Sequence, residues 1–299
     1  SRPREVRSCA MSKTNSTRRK SSRISFNTLE HEYRQFAELL TSASSTPIAQ
    51  AAAVHYFRRL FTDNTEPPKY FDRSLIDVFI GMVRDAALTV DIRVDAAWVL
   101  TNMVCSKKAT ITHAILDKGI LKVFEVCIST GDHKLRDQCI WGVGNIAADC
   151  YTCKEAVRRT SVLDTMAKLM KQGAFPTLES IKCPIWCALN ILRGANVFLS
   201  PVTARLLLSV LSKTMRRYEG SNMHDVLLTL SLIADDRNFS QNPLAWPGQI
   251  DAMIGEPDLV KLTMEAIAAS VAAGSEDHVS PGLRLLGNII TEDAERRIE

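Results

Sequence analysis

Ala97-Trp98-Val99-Leu100-Thr101-Asn102, Ile140-Trp141-Gly142-Val143-Gly144-Asn145 and Ile185-Trp186-Cys187-Ala188-Leu189-Asn190 are three versions of one phrase. Each sets a Trp four residues before an Asn inside an apolar run, and on a helix residues i and i+4 share a face. The Trp positions lie 43 and 45 residues apart. A fourth copy, Leu228-Thr229-Leu230-Ser231-Leu232, comes 42 residues later without Trp or Asn, and a fifth, Arg284-Leu285-Leu286-Gly287-Asn288, comes 56 residues after that and keeps the Asn. Upstream, Pro47–Leu60 is an Ala-rich helix in the same register, with His55 at the Trp position.

A period of this length belongs to armadillo and HEAT repeats, in which two or three helices form a unit that buries its apolar face only by stacking on neighbours. Helix pairs fill the intervals: Ala109–Asp117 and Leu121–Cys127 part at Lys118-Gly119, and Cys153–Arg159 and Val162–Met170 part at Thr160-Ser161. The extra length before the fifth copy falls in Asp236–Pro257, which reads as a loop because of Pro243, Pro247 and Pro257. The expected fold is an all-α, right-handed solenoid of about six repeats.

Composition agrees. Only 13 of 299 residues are Gly, and 46% are hydrophobic, which suits a helical chain with a substantial core. Charge is uneven. Residues 1–30 hold eight Lys/Arg and two acids, a net of +6, and the remaining 269 hold 29 bases and 31 acids, a net of −2. A basic tail on a slightly acidic body lacks the basic face of a nucleic-acid binder, so no direct nucleic-acid partner is expected. An Arg/Lys run by itself also suits RNA or anionic lipid. No run of 18 apolar residues is present, so no membrane-spanning helix is expected, and no apolar segment near residue 1 suggests a signal peptide.

Three regions follow: a basic tail at 1–25, expected to be disordered because it is rich in Ser, Thr and Arg; an amphipathic helix and linker at 26–44; and the repeat array at 45–299. In the second, Phe26, Leu29, Tyr33, Phe36 and Leu40 recur at spacings of three and four, and Asn27 with Glu30 makes a plausible capping pair.

Stacked repeats would align Trp98/Asn102, Trp141/Asn145 and Trp186/Asn190 in rows. Asn amides offer donor and acceptor to an extended peptide. Indole faces take aliphatic stems and attract a Lys ammonium, and acids would pair with it. Gln138, Trp141, Asn145 and Asp149 form one helical stripe, and Asp225 and Asp95 stand three residues before Leu228 and Trp98. The plainer reading is that these Trp side chains are core.

The phrases Trp98–Asn102, Trp141–Asp149, Trp186–Gly194 and Leu283–Thr291, with Pro47–Phe71 and its Pro67-Pro68 turn, resemble the importin alpha family in order, over nearly the whole chain from Leu29. The resemblance implies a concave peptide site for Lys/Arg-rich nuclear localisation signals. Trp98, Asn102, Trp141, Asn145, Trp186 and Asn190 would form the major site, Asp149 would receive the principal lysine, and Gln138 and Asp225 would contact other parts of the peptide. Arg284 and Asn288 would lie between this site and a minor one. It also implies importin beta as partner, a location in cytoplasm and nucleus, no cofactor, and a tail in which Arg18-Arg19-Lys20 mimics cargo. The chain departs from the family in a shorter, less basic tail, in Cys183 where a polar residue is usual, and in having fewer repeats. A scaffold for other partners is the alternative.

Other signals are weaker. Cys150-Tyr151-Thr152-Cys153 is a C-x-x-C without a second copy, and Cys183 and Cys187 are spaced for packing on one helix. The six His show no paired spacing, and no phosphate-binding, dinucleotide or nucleophile-elbow motif is present. No enzyme activity and no metal site are expected. The eight Cys read as reduced core thiols.

Overall fold

The computed structural model describes residues 26–63, 67–105, 109–130, 132–194, 199–217, 223–235 and 249–296. The basic tail with Arg18, Arg19 and Lys20 lies outside them. The described residues form fifteen helices and no strand, in two compact units that divide at Val157/Arg158. No described helix is long and apolar enough to cross a membrane.

The first unit runs α1 (Phe26–Thr41), α2 (Pro47–Asp63), α3 (Leu75–Arg84), α4 (Val90–Met103), α5 (Ala109–Asp117), α6 (Ile120–Ser129), α7 (His133–Asp149) and α8 (Tyr151–Arg158). The phrase-bearing helices stack in series, α2 on α4 and α4 on α7, and α3 and α6 back them. The sequence accounts for this: the apolar residues of α4 and α7 are spread around the helix and not confined to one stripe, so each is packed from more than one side, and eleven of the seventeen α7 residues are buried, Arg136, Gln138 and Asn145 among them. Asp132 caps α7, accepting from the Leu135 N–H at 3.0 Å. Gly119, in the left-handed region at φ 79°, makes the corner between α5 and α6.

The core holds Phe57, Phe79 and Phe124, each no more than 1% exposed. Helix α1 packs on α2, as its stripe predicts: Tyr33 is buried, meets Phe57 edge to face at 5.4 Å, and its hydroxyl accepts from the Asp72 N–H at 2.8 Å.

The second unit runs α9 (Val162–Lys171), α10 (Leu178–Leu192), α11 (Pro201–Arg217), α12 (Met223–Ile233), α13 (Gln249–Ile254), α14 (Leu259–Ala272) and α15 (Val279–Arg296). Here α10 packs on α12 and α12 on α15, with α9 against α11 behind. The stretch expected to be a loop contains α13, because Ile250 and Met253, three apart, bury one face of a short helix against α15.

Candidate peptide-binding surface

In the first unit α4 and α7 bring Trp98 and Trp141 together. Their rings meet edge to face, 5.6 Å between centroids and 76° between planes. The slot expected between them is therefore closed by the indoles themselves. Each indole Nε1–H is buried with no hydrogen-bond partner among the described residues, which costs on the order of 1–3 kcal/mol per donor. The contact is thus strained in its polar accounting while favourable in its aromatic geometry.

The outer face of Trp98 is occupied. The Arg58 guanidinium, from α2, lies 4.1 Å from the ring centroid and pairs with the Asp95 carboxylate one turn before Trp98. His55 Nδ1 stands 3.2 Å from the same carboxylate. This group was not legible in the sequence, because Arg58 lies one repeat upstream and no motif links it to Trp98.

The Asn side chains act between helices. Asn102 Nδ2 donates to Thr62 Oγ1 at 3.2 Å, and Asn145 Nδ2 donates to Thr101 O at 3.4 Å and Cys105 Sγ at 2.9 Å. Asn145 is only 6% exposed. Gln138, equally buried, donates to Thr101 Oγ1 at 3.0 Å, and that hydroxyl in turn donates to Ala97 O. Each amide ties one phrase-bearing helix to the one before it, which satisfies a buried polar group and fixes the helix register. Asp149 closes α7 half-buried, and among the described residues no Lys or Arg pairs with it.

In the second unit Trp186 and Asn190 are both buried on α10. Asp225, on α12, is half-buried; burial pushes its carboxyl above the usual range, against the pull of His224 and Arg193. Arg284 pairs with the buried Asp235 at 3.3 Å, and Asn288 Nδ2 donates to Ser231 O at 2.9 Å. The Asn288 bond repeats the clip of Asn102 and Asn145, from α15 to α12. Cys187 is buried and Cys183 half-buried, as packing residues would be.

One cluster was missed. His113, from α5, joins Cys150 and Cys153 at the junction of α7 and α8. The C-x-x-C was visible in the sequence, but the His lies 37 residues upstream of Cys150 and only the fold reveals it.

No family model matches the chain. In sequence it is similar to importin subunit alpha-1b of Oryza sativa subsp. japonica, 24% identical over 257 residues, which is 84% of this chain and 44% of that one. It is also similar to the probable importin subunit alpha-A of Dictyostelium discoideum, 22% identical over 281 residues, 88% of this chain and 48% of that one. The chain spans less than half the length of these curated relatives. Among solved structures, a designed armadillo repeat protein in complex with peptide (KR)4 superposes with a TM-score of 0.61 at 14% identity, over 86% of this chain and 98% of that one. A chain from a structure of the cadherin and beta-catenin interaction superposes at 0.62 and 13%, over 85% of this chain and 44% of that one. The chain thus has the armadillo-repeat fold and is similar in sequence to importin alpha subunits.

Proposed function

We propose that the chain is a peptide-binding armadillo-repeat protein, not an enzyme, that acts as a nuclear import adaptor between Lys/Arg-rich localisation signals and importin beta, working in cytoplasm and nucleus. The observation that carries this reading is the Arg58 guanidinium, held between the Trp98 face and the Asp95 carboxylate. This contact of one of the protein's own cations supports the reading that the surface can hold a basic side chain: the indole supplies its quadrupole and the acid supplies the charge. On α7 the corresponding Trp141 is followed by Asp149, whose carboxylate takes a long contact from the Cys153 thiol at 3.7 Å and pairs with no Lys or Arg among the described residues. The two indole N–H groups without partners support the same reading, since parting the rings would offer both donors to peptide carbonyls. Trp186, Asn190, Asp225, Arg284 and Asn288 are the proposed counterparts on the second unit, and Arg18-Arg19-Lys20 is the proposed internal competitor.

The test is a fluorescence titration with a labelled Lys-rich peptide. A Kd of about 1 μM or tighter, some 8 kcal/mol, is expected, with no binding by an acidic peptide of equal length. Asp149→Lys should weaken it at least tenfold, since it replaces attraction by repulsion. Unchanged affinity would sink this pocket. Removing residues 1–25 should tighten binding if the tail competes.

The ring contact of Trp98 with Trp141 and the Asn clips favour a second reading, in which the array is a scaffold for other partners and the Trp residues serve packing. It predicts no peptide binding at all, and a large drop in melting temperature for Trp141→Ala.

A further inference from the structure

Where α7 gives way to α8, three side chains able to ligate a metal converge from different segments. Cys150 follows α7, Cys153 sits in the first turn of α8, and His113 reaches over from α5. His113 Nε2 is 3.4 Å from Cys150 Sγ, and Cys150 Sγ is 2.9 Å from Cys153 Sγ. All three donor atoms lie within 4.8 Å of one another. Asp149 Oδ2 is 3.7 Å from Cys153 Sγ.

These spacings have a chemical meaning. A tetrahedral zinc ion has sulfur ligands at about 2.3 Å and nitrogen ligands at about 2.0–2.1 Å, which sets ligand atoms roughly 3.5–3.8 Å apart. The His113–Cys150 distance is already close to that value, and the two sulfurs, 2.9 Å apart, would part by about 0.9 Å to take up an ion. The C-x-x-C spacing lets two thiolates meet one ion across a single helical turn, and the Cys153 N–H donates to Cys150 Sγ at 3.2 Å, fixing that sulfur in place. Two sulfurs and an imidazole select soft or borderline cations over magnesium and calcium. The donors run inward from His113, nearest solvent, to the buried Cys153, so an ion has a path of entry. As an N-terminal cap of α8, Cys150 needs neither partner; a cap leaves the convergence of His113 and Cys153 unexplained.

We propose that His113, Cys150 and Cys153 form a binding site for a thiophilic divalent cation of the zinc class, with a water as the fourth ligand. The site joins α5 to the α7–α8 junction and so pins two consecutive repeats. It stands independently of the peptide reading, because it is tested without peptide.

The experiment uses the full chain, reduced and stripped with a chelator, titrated with Co(II). One equivalent should produce thiolate-to-cobalt charge-transfer absorption together with the strong visible bands of a tetrahedral site, and one equivalent of Zn(II) should bleach both. Cys150→Ser combined with Cys153→Ser should abolish the charge-transfer band. His113→Gln, at the outermost ligand, should keep the circular dichroism of the fold while weakening Zn(II) binding at least tenfold. The proposal is overturned by weak octahedral cobalt bands without charge transfer, by unaltered binding in either variant, or by recovery of Cys150 and Cys153 only as a disulfide that takes up no metal.

Discussion

At the scale of single residues, two glycines on equivalent helices have opposite value. A Cβ on Gly142 would stand 2.6 Å from Phe124 Cε2 and 3.0 Å from Thr101 Oγ1. The Phe124 ring is buried and Thr101 already holds Gln138, so neither neighbour can yield. Gly142→Ala is expected to lower stability by about 1–3 kcal/mol through overpacking. Gly287, on α15, has nothing within 4 Å of such a Cβ. Gly287→Ala should gain up to about 1 kcal/mol from helix propensity. Denaturant melts of both variants check the pair, and a stable Gly142→Ala protein would contradict this packing. The sequence shows that both glycines sit in the repeated phrase. It cannot show which one faces an aromatic ring from the preceding helix, because that depends on stacking.

At the scale of elements, the helices were largely legible where periodicity and caps agreed. Helix α1 carries its stripe as expected, but Asn27 lies inside it, so the Asn27/Glu30 pair is not its cap, whereas α10 starts with a full capping box: Thr177 Oγ1 accepts from the Ser180 N–H at 3.1 Å, and Ser180 Oγ accepts from the Thr177 N–H at 3.0 Å. Thr177→Ala should cost about 1 kcal/mol, read as a lower melting temperature, while Thr177→Asp should hold it. Helix α13 escaped because three prolines dominate its surroundings and two buried side chains are too weak a period to outweigh them. The edge-to-face Trp pair escaped for a related reason. Spacing places an indole on a face, but its rotamer is decided by the neighbouring indole and by Arg58, both supplied by other helices.

At the scale of the whole molecule, the charge division gives a further expectation. If peptide capture rests on Asp149 within a body of net −2, it is an attraction between partly exposed charges and is screened over about 10 Å at 0.1 M salt. Affinity for a Lys-rich peptide should fall steeply as salt rises, and a salt-independent Kd would argue that apolar packing carries the binding. The armadillo architecture was readable from the whole chain because a repeat states its pattern several times. The His113 cluster was not, because it occurs once and draws its third donor from another helix. The Asn clips bear on what kind of guest the array accepts. Asn102 and Asn288 each commit one N–H to the preceding helix, which fixes the plane of the amide and leaves its second N–H and its oxygen for another partner. Each such amide can therefore give and take a hydrogen bond at once. A chain that alternates N–H and C=O finds complementary chemistry at such an amide, whereas a polymer that only accepts can use half of it.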